Sequence, residues 1–161
     1  FSLADIFDLS ARGRLDVAFL SGAQIDAYGR LNLSAIGSFD EPKVRLPGGA
    51  GSAALLPTVK RGILWKTTHD TRSFVEQLDV VTAAGNTEYV ITPLAVLQRD
   101  EDGRLAIRAT FGEVTVADVQ QATAFAIEAH PAYAPFSPIT DAEREALRQI
   151  DPHQTRQSEF G

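Results

Sequence analysis

The sequence predicts a mixed α/β fold, and three patterns along its 161 residues support that prediction. Two almost uninterrupted apolar runs, at residues 15–20 and 61–66, are typical of strands buried on both faces of a parallel sheet. A glycine-rich turn and a short helix are expected between these runs, as parallel strands require a crossover. Residues 78–110 contain further strand patterns, so we expect a mixed sheet.

Three helices are predicted by the residues at which they begin. Each start has a hydroxyl residue followed three positions later by a carboxylate, which is the arrangement of a capping box. The boxes pair Ser2 with Asp5, Thr115 with Asp118, and Thr140 with Glu143. We expect the first helix to run to residue 10 and the last to about residue 150. Shorter helices are expected at residues 52–56 and 71–77.

The remaining strands are placed by turn residues. Tyr28 and Gly29 predict a tight turn that is followed by a short return strand. A charged segment that contains Gly103 predicts a hairpin between residues 94–98 and 105–110, with a left-handed backbone at the glycine. We also expect extended segments at residues 78–82, 89–92 and 125–127.

Composition excludes several classes of protein. Hydrophobic residues make up 44% and charged residues 22%, and the mean hydropathy is −0.07, as in ordinary globular domains. No apolar run reaches the ~20 residues needed to cross a bilayer, and no secretory signal is visible, so we expect a cytoplasmic protein. The net charge of −6 disfavours nucleic acid and anionic membranes as partners, although backbone amides can still bind a phosphorylated ligand. The absence of cysteine excludes thiolate chemistry.

The most informative segment is the glycine-rich turn at residues 47–51. It follows an extended segment and leads into a run of small residues. Glycine lets the main chain approach a ligand closely, and the first N–H groups of a helix have no internal partner. In α/β proteins, ligands bind at such turns beyond the carboxyl ends of strands. The alternative is an ordinary strand-to-helix turn, because the spacing matches neither a dinucleotide fingerprint nor a phosphate-binding loop.

Three further polar residues are candidates for a site. Gln24 and Asp26 lie just beyond the first apolar run, where site residues are common. We favour a structural role for Asp26, as a side-chain cap of the turn at Tyr28, and leave both roles open for Gln24. Arg45 is suited to hold a carboxylate or a phosphate in a charge-assisted contact. An exposed or interface arginine is the alternative.

The histidines give weaker signals. Neutral histidine suits proton transfer near pH 7, but His69 lies in an expected loop without a nucleophile beside it, so we favour a structural role. The three histidines are far apart and lack the spacing of metal ligands, so no metal site is expected. Ser21 lacks the sequence of a nucleophile elbow, which argues against a serine hydrolase.

Several segments follow one another in an informative order. They are the strand and turn at residues 16–29, the residues 32–37, the glycine turn at residues 44–51, the group His69, Arg72, Phe74, Val75, Glu76 and Asp79, the helix start at residues 112–119, the Thr-x-Phe segment at residues 123–127, and Ile150-Asp151-Pro152. Over nearly the whole chain this order resembles the β subunit of family I CoA-transferases. That group includes glutaconate, 3-oxoacid and acetate CoA-transferases and related thioester hydrolases.

The resemblance implies an open three-layer α/β/α sheet with mixed strands. It implies an enzyme that moves CoA between an acyl-CoA and a carboxylic or dicarboxylic acid, with an α subunit completing the site. A CoA thioester would be the substrate, and no cofactor would be bound covalently. Gly49 and Gly51 are then the expected backbone donors to an oxyanion. The expected contacts to substrate or CoA are Gly48, Ala50, Gln24 and Arg45.

Two departures from the family's pattern leave alternatives open. The family's attacking glutamate, which becomes a glutamyl-CoA thioester, is expected upstream of residues 15–20, and the chain starts too late to contain it. Residues 52–54 are Ser-Ala-Ala where many members carry an aspartate. The alternatives are a hydrolase or ring-opening enzyme acting on CoA thioesters, as in steroid-ring degradation, a domain that binds a phosphorylated ligand, and a non-catalytic subunit.

The two ends of the chain give a further expectation. The sequence begins with Phe1 and contains no methionine. We therefore expect it to be part of a longer polypeptide. In that polypeptide, residues 1–150 would form the C-terminal portion of a single CoA-transferase β-type domain, and residues 151–161 would form a tail.

Overall fold

A five-stranded mixed sheet organises residues 2–159, which are the residues that the computed structural model describes. The helices are α1 (Leu3–Ala11), α2 (Ala50–Leu55), α3 (Val116–Ala122) and α4 (Asp141–Ile150), and a 3₁₀ helix spans Thr155–Glu159. The strands are β1 (Val17–Leu20), β2 (Gln24–Ile25), β3 (Leu31–Asn32), β4 (Ala35–Gly37), β5 (Pro42–Arg45), β6 (Arg61–Trp65), β7 (Thr87–Ile91), β8 (Ala95–Arg99) and β9 (Leu105–Thr110).

The strand order in the large sheet is β1-β6-β7-β8-β9. The first three strands are parallel, with Val17 opposite Arg61, and the last two continue the sheet as an antiparallel meander. Two small antiparallel ribbons, β2–β3 and β4–β5, lie in the connection between β1 and β6. The predicted mixed α/β sheet is therefore confirmed, together with the hairpin at Gly103, whose φ is +78°.

One face of the sheet carries the hydrophobic core. Alternate residues of the strands point to this face and are almost completely buried, as the period of two requires. They are Leu20, Leu64, Val90, Leu97 and Ile107. Against them pack buried side chains from the connections and helices, including Ile25, Leu31, Leu56, Phe74 and Val119. Burial of this apolar surface is the main contribution to stability.

The opposite face of the sheet is partly open. Phe19 in β1 is 67% exposed, Trp65 in β6 is 39% exposed, and Ile91 in β7 is 38% exposed. The strand registers place these three side chains on the same face. The prediction that residues 15–20 are buried on both faces is therefore wrong for the described part of the chain, because β1 is an edge strand of the sheet.

The capping boxes predict the helix starts correctly. In α1, α3 and α4 the hydroxyl accepts the N–H of the third helical residue, and the carboxylate there accepts the N–H of the cap. The predicted ends of α1 and α4 hold within a residue. Within residues 2–159, no helix combines the length and the apolar composition that crossing a membrane requires. A domain boundary near residue 150 stays a prediction.

Three predicted elements are wrong. Residues 71–77 form turns and a single bridge between Phe74 and Ile25 instead of a helix. Residues 78–82 do not form a strand, because two of their N–H groups bond to the Gln24 side chain and to the Leu31 carbonyl. Residues 125–127 are buried but not extended into a ladder, because the Gln120 carboxamide bonds to the backbone of Phe125 and Ile127.

Gly85 provides a test of the packing between α2 and the loop before β7. A Cβ atom on Gly85 would lie 2.4 Å from the carbonyl oxygen of Leu56 and 2.6 Å from the Cα atom of Pro57, both backbone atoms. We expect Gly85→Ala to lower the free energy of unfolding by about 2 kcal/mol or more, because the backbone must move. Urea denaturation measures this change.

The control is Gly51→Ala in the first turn of α2. A Cβ atom there meets nothing closer than Leu55 Cδ1 at 3.9 Å. Because alanine favours helix over glycine, the stability of this variant should be unchanged or raised by up to about 1 kcal/mol. Equal stability of Gly85→Ala and the parent chain would contradict the close packing at Leu56.

Candidate functional site

The glycine loop, residues 47–51, connects β5 to α2. The helix begins at Ala50, two residues before its predicted start, and Gly49 already has helical dihedral angles. Gly48 turns the chain with a φ of +94°, which glycine adopts without steric cost. Ala50 has a φ of +31°, which costs a residue with a Cβ atom on the order of 1 kcal/mol or more. Such strain is frequent where a backbone is shaped for a ligand.

The loop is attached to the turn between β3 and β4. The N–H of Gly48 donates to the Leu33 carbonyl at 2.7 Å, and the N–H of Leu46 donates to the Ser34 carbonyl at 3.0 Å. Gly49 touches Thr82, because a Cβ atom on Gly49 would lie 2.8 Å from Thr82 Cγ2. These contacts fix the loop on both sides of Pro47.

Three successive N–H groups in the loop are available to a ligand. In the described part of the chain, the N–H groups of Gly49, Ala50 and Gly51 have no hydrogen-bond acceptor. The N–H of Gly48, by contrast, is used by Leu33. Adjacent unpaired amides of this kind form a concave donor surface for an anion or for a developing oxyanion.

Gln24 lies in a buried hydrogen-bond network beside this turn. Its carboxamide oxygen accepts Nδ2 of Asn32 at 2.6 Å and the N–H of Asp79 at 3.2 Å. Its Nε2 donates to the Asp79 carboxylate at 2.9 Å, and the same oxygen of Asp79 also accepts the N–H of Gly37. The network therefore joins β2, β3 and the start of the β4–β5 ribbon, and most of the Gln24 side chain's bonding capacity is used within the protein.

Asp26 has the structural role that the sequence favours. Its side chain is buried and accepts the N–H groups of Tyr28 and Arg30, both at 3.0 Å. It also forms a 2.6 Å ion pair with the Arg30 guanidinium. Gly29 takes a φ of +70° within the same turn. Asp26 thus holds the β2–β3 turn and is not directed toward a ligand.

Arg45 is exposed at the end of β5, directly before the glycine loop. Its guanidinium donates to the Phe39 carbonyl at 3.2 Å and lies 5.0 Å from the centre of the Phe39 ring. Most of its donors remain directed to solvent. The position therefore leaves Arg45 able to bind a carboxylate or a phosphate.

His69 is enclosed by uncharged groups. Nδ1 lies 2.9 Å from the Thr92 hydroxyl, Nε2 lies 3.0 Å from the Thr123 hydroxyl, and the ring stacks on Phe74. Burial lowers the pKa of His69 to about 4, although the nearby Asp70 carboxylate opposes the shift. A neutral imidazole that joins two hydroxyls and a core aromatic ring is structural, as the sequence favours.

A cleft of about 510 Å³ lies at the carboxyl ends of β1 and β6. Its lining includes Ala23, Gln24, Thr68, Asp70 and Arg72. Lys66 lies beside it and donates through Nζ to the Gly22 carbonyl at 2.9 Å, and burial lowers the pKa of this lysine. Lys66 is not among the candidates that the sequence indicates, although a lysine directly after a buried strand is a signal that could have found it.

Metal binding finds no support in the described part of the chain. No group of three or more His, Cys, Asp or Glu side chains among residues 2–159 is placed to hold an ion. The polar groups that surround the loop are carboxamides, hydroxyls and backbone amides. This set suits recognition of an oxygen anion through hydrogen bonds.

The sequence profile of the coenzyme A transferase family matches residues 2–135, which is most of the chain. The chain belongs to this family. This coenzyme A transferase chain is 30% identical to the β subunit of 3-oxoadipate CoA-transferase from Pseudomonas knackmussii, an alignment that covers 86% of this chain and 60% of that protein. It is 27% identical to the β subunit of glutaconate CoA-transferase from Acidaminococcus fermentans, with 86% and 58% covered. The chain thus spans about 60% of the length of these relatives.

Solved structures agree with the family assignment. The coenzyme A transferase chain superposes on the decarboxylase AibA/AibB with a TM-score of 0.88 and 30% identity, over 100% of this chain and 67% of that chain. It superposes on the glutaconate coenzyme A-transferase of Acidaminococcus fermentans with a TM-score of 0.85 and 23% identity, over 100% and 69%. The predicted CoA-transferase-type fold is confirmed.

The low pKa of His69 gives a prediction for this coenzyme A transferase chain. An unfolded histidine binds a proton near pH 6.5, whereas folded His69 binds one only near pH 4. Stabilisation by neutral His69 is therefore complete above pH 6.5 and is lost as the pH falls toward 4. Histidine NMR titration should give a pKa of about 4 for His69.

His69→Gln separates this titration from that of the carboxylates. Glutamine retains a donor and an acceptor for Thr92 and Thr123 but does not titrate. We expect the variant to be less stable at pH 7, with a smaller loss of stability between pH 7 and pH 5 than in the parent chain. Urea denaturation at both pH values measures this, and parallel losses would contradict the role of His69.

Proposed function

We propose that this chain is part of the β subunit of a two-subunit CoA-transferase. The enzyme would move CoA between an acyl-CoA and a carboxylic or dicarboxylic acid. The observation that carries the proposal is the row of unpaired N–H groups at Gly49, Ala50 and Gly51, held on a glycine loop in a member of the coenzyme A transferase family. The two curated relatives are both β subunits of CoA-transferases, which supports this reaction.

The loop has a defined task in this chemistry. When a carboxylate attacks a thioester carbonyl, the carbonyl oxygen becomes an oxyanion in the tetrahedral transition state. Fixed N–H donors stabilise that charge without reorganisation, and the loss of one such donor typically lowers kcat by ~10²–10³. Gly49 and Gly51 are the proposed donors, and Ala50 lies between them. The loop's attachment to Leu33 and Ser34 supplies the required rigidity.

The attacking group is proposed to be a glutamate that lies outside residues 1–161. Its carboxylate would form an acyl-glutamyl anhydride with release of CoA thiolate, and the thiolate would then form a glutamyl-CoA thioester. This step follows from the resemblance to the family. In this scheme the residues of the present chain bind and stabilise, and they do not supply the nucleophile.

Two side chains complete the proposed site. Arg45 is proposed to bind the carboxylate of the acid or a phosphate of CoA, because its exposed guanidinium directly precedes the loop. For Gln24, the network with Asn32 and Asp79 supports positioning of the neighbouring turn, and a direct contact with substrate stays a prediction. An α subunit is the proposed partner, since the two relatives are themselves β subunits. The cytoplasmic location stays a prediction.

The reaction can be tested directly with the assembled enzyme. The gene is co-expressed with that of its α-type partner, and CoA transfer from acyl-CoA to a panel of mono- and dicarboxylic acids is measured. Hydroxylamine or borohydride trapping after incubation with acyl-CoA should reveal a glutamyl-CoA adduct. Release of free CoA that does not depend on an acceptor acid would identify a hydrolase and contradict the transferase.

A pair of glycine variants tests the role of the loop. Gly49→Ala places a Cβ atom 2.8 Å from both Thr82 Cγ2 and Ala53 Cβ, so the loop must shift. We expect kcat to fall by about 10²-fold, within the range for loss of an oxyanion donor, with a much smaller change in KM.

Gly51→Ala is the matched control, because it retains the backbone N–H and meets nothing closer than 3.9 Å. Its kcat should remain within a few-fold of the parent enzyme. Steady-state kinetics of both variants measure the difference. Equal loss of activity in the two variants, or no loss in either, would exclude the loop as the donor surface.

A further inference from the structure

We propose that Thr82 is a positioning residue that holds the glycine loop in the geometry the reaction needs. The inference rests on the proposed function for its kinetic part, but its structural part is independent of that function. Thr82 is distant from the loop in sequence and lies in a connection without regular secondary structure. It nevertheless contacts both the loop and the turn on which the loop is held.

The hydroxyl of Thr82 fixes the turn between β3 and β4. Its Oγ1 accepts the N–H of Leu33 at 2.9 Å and lies 2.7 Å from the Ser34 hydroxyl. The backbone of Thr82 is itself anchored, because its N–H donates to the Leu31 carbonyl at 2.8 Å. The hydroxyl therefore holds Leu33 and Ser34 in a defined position relative to β3.

Leu33 and Ser34 in turn hold the loop. Their carbonyl groups accept the N–H of Gly48 and the N–H of Leu46, the residues on either side of Pro47. A displacement of this turn moves both attachment points together. The available donors at Gly49 to Gly51 directly follow these attachment points, so their positions depend on the Thr82 hydroxyl.

The methyl group of Thr82 makes a second contact with the loop. A Cβ atom on Gly49 would lie only 2.8 Å from Thr82 Cγ2, which is closer than two carbon atoms can pack. The methyl therefore packs against the Gly49 backbone at close range, and residue 49 must be glycine. Thr82 thus restrains the loop directly through its methyl and indirectly through its hydroxyl.

Asn32 gives the turn a second support that does not involve Thr82. Its buried side chain donates to the Ala35 carbonyl at 2.7 Å and accepts the N–H of Ser34 at 3.0 Å. Loss of the Thr82 hydroxyl should therefore loosen the turn without unfolding it. This separation makes the role of Thr82 testable by substitution.

Two variants separate the two contacts of Thr82. Thr82→Val retains the shape and the methyl that packs on Gly49 but removes the hydroxyl, which leaves the N–H of Leu33 without its acceptor. Thr82→Ser retains the hydroxyl but removes that methyl. Thr58→Val is the matched control, because the Thr58 hydroxyl forms the same kind of 2.7 Å contact with Ser10 near the other end of α2.

The structural readout is amide hydrogen exchange in the assembled enzyme. The N–H groups of Leu46 and Gly48 report directly on the loop attachments. We expect about tenfold faster exchange at both in Thr82→Val, as the turn opens more often. Exchange at these amides should be unchanged in Thr58→Val. Unchanged exchange in Thr82→Val would overturn the proposal, whether or not the enzyme proves to be a transferase.

The kinetic readout uses the same proteins. Because oxyanion donors act in the transition state, Thr82→Val should lower kcat by about tenfold or more with KM for acyl-CoA nearly unchanged. Thr82→Ser should retain more activity than Thr82→Val. Faster exchange with an unaltered kcat would show that Thr82 holds the loop without serving catalysis, and would overturn the kinetic part. Absence of transferase activity in the parent enzyme would instead count against the proposed function alone.

Discussion

The parallel pairing of β1 with β6 is the constraint on which the rest of the structure depends. Val17 pairs with Arg61, so the 43 residues between them must leave the sheet and return to the same end. The connection contains the two small ribbons, the glycine loop and α2, and it carries the loop past the polar network of Gln24 and Asn32. Long crossovers are a general requirement of parallel strands. Here the crossover also supplies most of the candidate site.

Side-chain hydrogen bonds take the place of regular structure in two segments near the site. The connection between β6 and β7 contains only isolated bridges, at Phe74 and Ala83. It is held by polar groups of the opposite connection, as in the pairing of the Asp79 N–H with Gln24. Every buried side-chain nitrogen and oxygen in residues 2–159 has a hydrogen-bond partner. Such satisfied networks are rigid and specify one arrangement, which suits a surface that must present backbone donors in fixed positions.

Features that depend on neighbours in sequence are well predicted, and those that depend on distant contacts are not. The capping boxes at Ser2, Thr115 and Thr140 each depend on residues within one helical turn, and the glycine loop is recognisable from its own composition. The helix expected at residues 71–77 fails because its backbone bonds to Ile25, which is distant in sequence. For the same reason the sequence indicates Gly49 and Gln24 as site candidates but not Thr82 or Asn32, whose importance arises from through-space contacts.

The chain contains one tryptophan, Trp65, and it lies at the carboxyl end of β6 on the partly open face of the sheet. Its carbonyl accepts the Ser21 hydroxyl at 2.8 Å, which ties the indole-bearing residue to the segment that leads into Gln24. Intrinsic fluorescence of this protein therefore reports on one location at the edge where parallel α/β sheets bind their ligands. A blue shift of the emission would register any polypeptide that covers this face, without a label and without background from a second indole.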